Sequence, residues 1–335
     1  MKVVRLHGKG ELRLHEEPIP TPQAGEALVR VKTVGVCGSD VHWFTEAGIG
    51  TDHLSHPLVL GHEFAGVVEN GEFTGQRIAV DPAIPCGTCE FCREGNPNFC
   101  ESMRFAGHSI VDGALREYLN WPSRNLFPLP DELDEVEGAM LEPLGVAIHA
   151  VNLAHLQPGM SVGVFGCGPI GLLILQLARL NGTTQRIATE VLPHRLAVAR
   201  DNGATEVFPA EGGRENPRIW EATHRRGVEV AFEVAGENEA VETAVASARS
   251  GGKVILVGIP KVDSTTFTAS TARRKGLTIK LVRRMKHTYP RAIKLVQSGL
   301  VDVRSLVTHR FKLENSAQAF ATAERREGIK VVVEI

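Results

Sequence analysis

The sequence contains no long hydrophobic run. Its longest apolar stretch, residues 170–178, is interrupted by Gly171 and Gln176 and falls well short of the roughly 20 residues that cross a bilayer as a helix. The first 18 residues alternate apolar and polar positions in the manner of two paired strands, and they include no apolar core of signal-peptide length. We therefore expect neither a membrane-spanning segment nor secretion.

A surplus of charge of either sign is also missing. Of the 335 residues, 37 are Lys or Arg and 39 are Asp or Glu, for a formal net charge of -2. Without a basic surplus there is no electrostatic reason to expect nucleic acid or an anionic membrane as a partner. The sequence has no internal repeat and no low-complexity linker. Its length exceeds that of a usual single hydrophobic core, so we expect two domains.

Four of the six cysteines fall in one short stretch, at Cys86, Cys89, Cys92 and Cys100. Thiols two residues apart can face one centre, and a fourth from a following loop completes a tetrahedron around Zn²⁺. Because sulfur fills every position, such a metal has no vacancy for a substrate and serves to hold a lobe together. Clustered cysteines without a secretory signal also favour metal binding over disulfides, and a cytoplasmic protein.

The pattern of apolar residues divides the sequence into two parts. Up to about residue 140, short β-type runs separated by turn residues predict an irregular, largely antiparallel β domain. From about residue 144, strands at 162–165, 186–190, 206–208, 228–233 and 253–257 alternate with helical segments, which predicts a parallel sheet covered on both faces. We expect the tail to return to the first domain, giving one domain of residues 1–144 and 284–335 and an inserted domain of residues 145–283.

A glycine-rich turn follows the first strand of the inserted domain. In Gly166-Cys-Gly-Pro-Ile-Gly171, the first glycine permits a tight turn, the second lets the backbone approach a pyrophosphate, and the third allows close packing of helix on strand. Glu190 ends the next strand, where a carboxylate can accept both ribose hydroxyls, which favours NAD over NADP. Arg195 either weakens this preference or stacks on the adenine. The candidate cofactor residues are Gly166, Gly168, Pro169, Ile170, Gly171, Glu190 and Arg195.

A second metal site is indicated by two separate short motifs. Cys37 follows a predicted strand, and the pair His62-Glu63 follows an apolar run at residues 57–60. A thiolate, an imidazole and a carboxylate supply three ligands and leave a fourth position for water or substrate. Four other histidines are expected to be surface or structural residues, namely His53, His56, His108 and His149.

Taken together, these motifs resemble the zinc-dependent medium-chain dehydrogenases, and most of all their sorbitol (polyol) dehydrogenase branch. The matching segments span nearly the whole sequence: 34–42, 60–63, 86–100, 142–144, 166–171 and 306–310. The resemblance implies an α/β protein in which an irregular, β-rich, GroES-like catalytic domain carries an inserted Rossmann domain with a doubly wound parallel sheet. It also implies NAD and two zinc ions per chain, one catalytic and one structural.

The resemblance assigns roles to residues of the second metal site. It implies that Cys37 and His62 bind the catalytic zinc, and that Glu63 binds it directly or in alternation with water. Glu142 would be an occasional ligand or a partner of the zinc-bound water, although it could instead cap a helix that begins near residue 144. Asp40 would orient the ligand histidine and fix its tautomer.

Further residues would handle the proton and the substrate. Ser39 and His42 fit a relay for the hydroxyl proton, with an ordinary loop histidine as the alternative for His42. Substrate contacts are implied for Trp43, Phe105 and Arg284. Arg284 could instead form a surface salt bridge. Tyrosines typical of the branch are replaced by Trp43 and Met285, so another sugar alcohol, a sugar acid or a smaller diol is as credible as sorbitol.

The function predicted from the sequence is zinc-dependent oxidation of a secondary hydroxyl to a carbonyl, with reversible hydride transfer to NAD. An amino-alcohol dehydrogenase of threonine type and a small-diol dehydrogenase are alternatives. A non-catalytic zinc-lobed binding protein is a remote alternative, since it would have little need of Cys37, His62, Glu63 and Glu142 together. We expect a small-molecule alcohol or polyol as substrate, and a homodimer or homotetramer formed through the sheet edge of the nucleotide domain, at residues 256–268.

Overall fold

The computed structural model describes all residues, Met1–Ile335, and the chain divides into two compact units. Unit 1 comprises Met1–Gly145 and Lys286–Ile335, and unit 2 comprises Val146–Met285. The tail of the chain thus belongs to the same unit as its beginning. None of the helices combines the length and the apolar character needed to cross a bilayer.

The strands are mostly short, as expected for a chain rich in turn residues. They are β1 (Lys2–Gly8), β2 (Glu11–Glu16), β3 (Glu26–Gly35), β4 (Gly48–Ile49), β5 (Asp52–His53), β6 (Glu63–Asn70), β7 (Arg77–Val80), β8 (Ala83–Ile84), β9 (Arg104–Phe105), β10 (Tyr118–Pro122), β11 (Leu126–Pro128), β12 (Ser161–Phe165), β13 (Gln185–Glu190), β14 (Glu206–Pro209), β15 (Val228–Glu233), β16 (Ala248–Leu256), β17 (Thr278–Leu281), β18 (Val307–Lys312) and β19 (Lys330–Glu334).

The helices include one that is much longer than the others. They are α1 (Gly38–Glu46), α2 (Glu90–Arg93), α3 (Glu135–Ala154), α4 (Pro169–Leu180), α5 (Pro193–Ala199), α6 (Asn216–Ala222), α7 (Asn238–Ser247), α8 (Ala269–Lys275), α9 (Tyr289–Gln297) and α10 (Ser316–Glu324).

Unit 1 is built on a seven-stranded sheet that joins strands from the first part of the chain, beginning with β3, to its last two strands, β18 and β19. Six strands follow the order β11-β7-β6-β3-β19-β18, and β10 also pairs with β3. The C-terminal strand β19 lies antiparallel to β3, with Val333 opposite Val34. The last strand of the chain is thus paired with a strand of its first part. A single apolar cluster, to which Val34 and Val333 both belong, fills the core.

Unit 2 is a six-stranded sheet in the order β14-β13-β12-β15-β16-β17, with every pair parallel. Numbered within the unit, this is the order 3-2-1-4-5-6 of the dinucleotide-binding doubly wound fold, in which ligands bind where the order reverses, between β12 and β15. The predicted parallel sheet is confirmed. The segment at residues 256–268 is not the sheet edge, however, because Leu256 ends β16 and β17 lies outside it.

Helix α3 corrects one expectation from the sequence. We expected a helix to begin near residue 144, with Glu142 as a possible cap. A proline in a helix interior removes a hydrogen bond and clashes with the preceding turn. The helix instead begins at Glu135 and continues through Pro143 to Ala154. Leu141 and Leu144 on either side of the Glu142-Pro143 pair are fully buried, so burial of an apolar helix outweighs the local preference. Glu142 therefore projects from a helix interior and caps nothing.

Candidate functional site

Three potential metal ligands meet at one end of two paired strands in unit 1. Gly35, the last residue of β3, lies opposite Glu63, the first residue of β6. Cys37 follows β3 and His62 precedes β6, so antiparallel pairing brings the two ends together. One ligand atom each from Cys37, His62 and Glu63 lies within 4.8 Å of the others. A thiolate, an imidazole and a carboxylate in this arrangement fit Zn²⁺ with an open position.

Asp40 joins the two loops that carry these ligands. One carboxylate oxygen accepts a hydrogen bond from the backbone N–H of Cys37 at 3.0 Å. The other accepts one from the backbone N–H of Gly61 at 3.3 Å and lies 3.2 Å from Nδ1 of His62. Although burial alone would raise the pKa of Asp40, His62 and these two amides lower it overall. A charged Asp40 therefore holds Nδ1–H of the imidazole and leaves Nε2 for a metal.

Gly61 makes the turn that presents His62. Its φ is +95°, a backbone conformation that favours glycine. A Cβ at this position would lie only 2.6 Å from Cγ1 of Val34. Any larger residue would push the loop away from β3, and the imidazole would move with it.

Two further charged side chains are buried beside the three ligands. Glu142 on α3 is 5% exposed, and burial, together with the negative charge of Glu63, raises the pKa of its carboxyl to about 7. Lys330, the first residue of β19, is 3% exposed and forms an ion pair with Glu63. Lys330 was not among the predicted site residues, although a lysine at the start of the apolar run Val331–Val333 is a recognisable signal of a buried cation.

Phe105, which was predicted to contact the substrate, lies beside one of the ligands, and Trp43 lies on the helix that follows Cys37. The ring of Phe105 packs against His62 with ring centroids 5.1 Å apart. The indole N–H of Trp43 donates to Nδ1 of His108 at 3.3 Å, and Nε2 of His108 lies 3.0 Å from a carboxylate oxygen of Asp52. His108 therefore anchors Trp43, in line with the structural role expected for it.

Ser39 and His42 lie on α1, one and four residues after its first residue, and both are half-buried. Cys37 is the N-cap of this helix. The helix therefore places both relay candidates within a turn or two of the thiol ligand. Of the other histidines set aside in the sequence analysis, His53 and His56 are exposed and His149 is buried within α3.

The four clustered cysteines converge around a second centre. Their sulfur atoms all lie within 4.8 Å of one another, and the sulfurs of Cys86 and Cys92 are 4.0 Å apart. The backbone N–H groups of Thr88 and Cys89 point at the sulfur of Cys86, at 3.4 and 3.3 Å. These hydrogen bonds lower the pKa of Cys86 to about 5. Four sulfurs around one point, with amides that favour thiolate, fit a closed structural zinc site.

The glycine loop of unit 2 lies between β12 and α4, as the motif predicts. Gly166 has a φ of +112°, and a Cβ there would meet the backbone nitrogen of Ala235 at 3.0 Å, beyond the end of β15. A Cβ on Gly171 would lie 2.0 Å from the carbonyl oxygen of Gly166. Gly168 is the N-cap of α4, and Pro169 and Ile170 follow in its first turn. The loop thus places the N-terminus of α4 at the carboxyl end of the central strand β12. The backbone N–H groups of a helix N-terminus can bind a pyrophosphate.

Glu190 secures this loop from the end of the neighbouring strand β13. Its carboxylate accepts hydrogen bonds from the backbone N–H groups of Cys167 at 2.8 Å, Val191 at 2.8 Å and Leu192 at 3.1 Å. Nη1 of Arg195 lies 3.7 Å from the position that a Cβ on Gly168 would occupy. Both residues proposed for the cofactor's ribose and adenine are therefore beside the glycine loop.

Arg284 lies in unit 2, near the end of that unit's segment Val146–Met285. It lies outside regular structure with a φ of +55°. Tyr289, five residues further on, is a structural residue. Its hydroxyl donates to the carbonyl of Val80 at 2.6 Å, and its ring stacks on Phe127 at 4.7 Å.

Comparison with known proteins agrees with both units. Residues 23–131 match the model of the alcohol dehydrogenase GroES-like domain, and residues 169–298 match that of zinc-binding dehydrogenases. The chain is 36% identical to a sorbitol dehydrogenase of Bacillus subtilis, over 99% of this chain and 97% of that protein. It is 35% identical to an L-idonate 5-dehydrogenase of Vitis vinifera, over 96% and 90%.

A solved structure provides a third comparison. A zinc-binding dehydrogenase of Sinorhizobium meliloti 1021, crystallised with NADP, is 31% identical, covers 100% of this chain and 99% of its own, and superposes with a TM-score of 0.91. These comparisons all identify dehydrogenases, two of them zinc-binding by name. They agree with the two clusters of metal ligands and the glycine loop found in this chain. This chain belongs to the zinc-dependent medium-chain dehydrogenases, in the branch that includes the sorbitol dehydrogenases.

Proposed function

We propose that this protein oxidises a secondary hydroxyl of a polyol or sugar-like alcohol to the carbonyl, with hydride transfer to NAD, and also catalyses the reverse reduction. The observation that carries this proposal is the convergence of Cys37, His62 and Glu63 at one end of the unit 1 sheet. This ligand set leaves an open position, whereas the four-cysteine site is closed. The sorbitol dehydrogenase of B. subtilis, similar over almost the whole chain, supports a polyol as the substrate class.

The chain's own residues would prepare both reactants. When bound, a zinc ion at Cys37 and His62 supplies a Lewis acid for the substrate oxygen, and NAD supplies the hydride acceptor. Asp40 keeps Nδ1 of His62 protonated and its ring oriented. The hydroxyl of Ser39 and the imidazole of His42 would carry the substrate's hydroxyl proton away from the site. The carboxylate of Glu142 would hold the metal-bound water or the substrate hydroxyl in place.

The environment of Glu190 supports NAD over NADP. Its carboxylate is held by three backbone amides, and its negative charge would repel a 2′-phosphate while accepting ribose hydroxyls. Arg195 is the nearby cation that opposes this preference. Since the S. meliloti relative was crystallised with NADP, the two coenzymes need to be compared directly.

A screen of alcohols with each coenzyme tests the proposed function. With zinc-loaded protein and NAD, at least one polyol such as sorbitol or xylitol should give a kcat/KM about tenfold or more above that of threonine. NADP should be about tenfold less effective than NAD. The panel should include L-idonate as a sugar acid and 2,3-butanediol as a small diol. Oxidation of threonine alone would support the amino-alcohol alternative, and no turnover with any alcohol would support the non-catalytic one.

We also propose that the protein is a cytoplasmic homodimer or homotetramer. All six cysteines are free thiols, as suits a reducing compartment. The edge strand β17 and the preceding segment leave apolar side chains exposed, with Leu281 at 73%, Val262 at 71% and Ile259 at 50%. An unpaired edge with exposed apolar residues is a typical site for association. Light scattering at micromolar concentration should give at least the mass of a dimer, and a monomer mass would refute the assembly.

A further inference from the structure

Glu233 is a buried carboxylate of unit 2 that has no part in the chemistry described so far. It is the last residue of β15 and is only 1% exposed. In the parallel ladders it lies opposite Phe165, the last residue of β12, and opposite Leu256, the last residue of β16. It therefore stands at the carboxyl ends of the strands where the order of the sheet reverses, which is where this fold binds a dinucleotide.

The partners of Glu233 are backbone N–H groups, with no lysine or arginine among them. One carboxylate oxygen accepts hydrogen bonds from the N–H groups of Ala235 at 2.7 Å and Gly236 at 2.6 Å. Burial raises the pKa of the carboxyl overall, although these two amides, with those of Glu237 and Gly258, oppose that shift. Amide donors of this kind favour the ionised form. The negative charge at this position is thus held in place and is not neutralised by a side-chain cation.

Glu233 also joins the two loops that follow β15 and β16. Its side chain holds the first loop, and its backbone carbonyl accepts hydrogen bonds from Val257 at 2.8 Å and Gly258 at 3.2 Å in the second. A Cβ on Gly258 would lie 2.1 Å from the backbone nitrogen of Gly236 and 2.9 Å from the other carboxylate oxygen of Glu233. The loops therefore pack against each other and against the carboxylate, with no room for a methyl group.

Glu190 and Glu233 occupy matching places on the two sides of β12. The strands that they end, β13 and β15, are the two neighbours of β12 in the sheet. A doubly wound sheet of this order is built from two mononucleotide-binding halves, and the dinucleotide lies across the crevice between them. Because Glu190 is on the side proposed for the adenosine ribose, the ends of β15 and β16 are on the side of the nicotinamide.

We propose that Glu233 is a positioning residue whose charge makes the coenzyme site favour NAD⁺ over NADH, a proposal that rests on the function proposed above. The oxidised nicotinamide ring carries a positive charge, and the reduced ring is neutral. A fixed negative charge with no cation beside it acts strongly where water is excluded, so it stabilises the oxidised coenzyme. In the oxidation of an alcohol, this difference favours binding of NAD⁺ and release of NADH.

Glu233→Gln removes the charge and keeps the shape of the side chain. The amide oxygen can still accept hydrogen bonds from Ala235 and Gly236, so the two loops should stay in place. In calorimetric titrations at pH 8, the Kd for NAD⁺ should rise about tenfold, while that for NADH changes by less than about threefold. The Kd for ADP, which has no nicotinamide, should stay within about twofold of the wild type.

Glu190→Gln is the matched control on the other side of β12. It should weaken the binding of ADP, NAD⁺ and NADH by similar factors, because all three contain the adenosine. Glu233→Asp keeps the charge on a shorter side chain. Its ratio of the Kd for NAD⁺ to the Kd for NADH should stay within about twofold of the wild type. This variant tests the role of charge even if Glu233→Gln does not fold.

Two results would overturn the proposal. One is a folded Glu233→Gln in which binding of NAD⁺ is unchanged, or in which NADH or ADP is weakened as much as NAD⁺. The other is a change of about tenfold in the coenzyme ratio of Glu233→Asp, which would show that shape and not charge sets the preference. Failure of the proposed function looks different, because wild-type protein would then bind neither NAD⁺ nor NADH.

Discussion

Serine in place of Cys37 is expected to abolish turnover. A hydroxyl is a far weaker zinc ligand than a thiolate, because the metal ligand is the deprotonated sulfur. His62 and a carboxylate would remain, and the Lewis acid that polarises the substrate oxygen would be lost or badly placed. That acid supplies several kcal/mol of transition-state stabilisation, so kcat/KM should fall about 1000-fold or more.

Metal analysis and coenzyme binding separate this effect from misfolding. Wild-type protein should contain about two zinc ions per chain and Cys37→Ser about one, while NAD binding to unit 2 stays within about twofold. Cys100→Ser is the matched comparison, because Cys100 is buried in the four-cysteine cluster. That variant should also lose one zinc but keep turnover well above that of Cys37→Ser. Normal turnover in Cys37→Ser would reject the ligand assignment.

Alanine at Gly171 is expected to disrupt the nucleotide-binding unit. The added methyl group would lie 2.0 Å from the carbonyl oxygen of Gly166 and 3.1 Å from its carbonyl carbon. These are backbone atoms, so the start of α4 must move away from the end of β12. We expect the free energy of unfolding of unit 2 to fall by about 2–4 kcal/mol. The dissociation constant for NAD should rise about 100-fold or more.

Alanine at Gly168 is the matched control within the same motif. Its φ is -68°, and the nearest atom to an added Cβ is Nη1 of Arg195 at 3.7 Å, so the fold accommodates the methyl group. As Gly168 is a helix N-cap, the loss of stability should be about 1 kcal/mol or less. NAD binding should still weaken, since the backbone here must approach the pyrophosphate. Denaturant unfolding and calorimetric titration would measure both effects, and equal destabilisation by the two substitutions would contradict this account.

The sequence was most informative where the chemistry is local. The spacing of the four cysteines and the glycines of residues 166–171 constrain a few consecutive residues, so each motif carries its own geometry. The same is true of Val228–Glu233, a strand whose bounds agree with those predicted from its apolar residues. Strand–helix alternation, in turn, was enough to predict the parallel sheet of unit 2, because its strands are buried on both faces and read as apolar runs.

Two predictions from the sequence failed where distant contacts override local preference. A helix was predicted to begin near residue 144, yet α3 begins at Glu135 and continues through Pro143 because the surrounding leucines are buried. Residues 256–268 were predicted to form the edge of the unit 2 sheet. The edge strand is instead β17, which was not predicted from the sequence.

The amino-acid sequence alone determined the family, the two sets of metal ligands and the dinucleotide loop, because each depends on residue types at short spacings. Only the tertiary structure decided which charges surround the open metal site. Lys330 is 267 residues from Glu63 in the sequence, and it reaches that carboxylate because β19 pairs with β3 and β3 pairs with β6. The apolar run after Lys330 indicates a buried cation but not its partner, because the free energy of a contact made by strand pairing over such a distance comes from burial and charge that exist only in the folded chain.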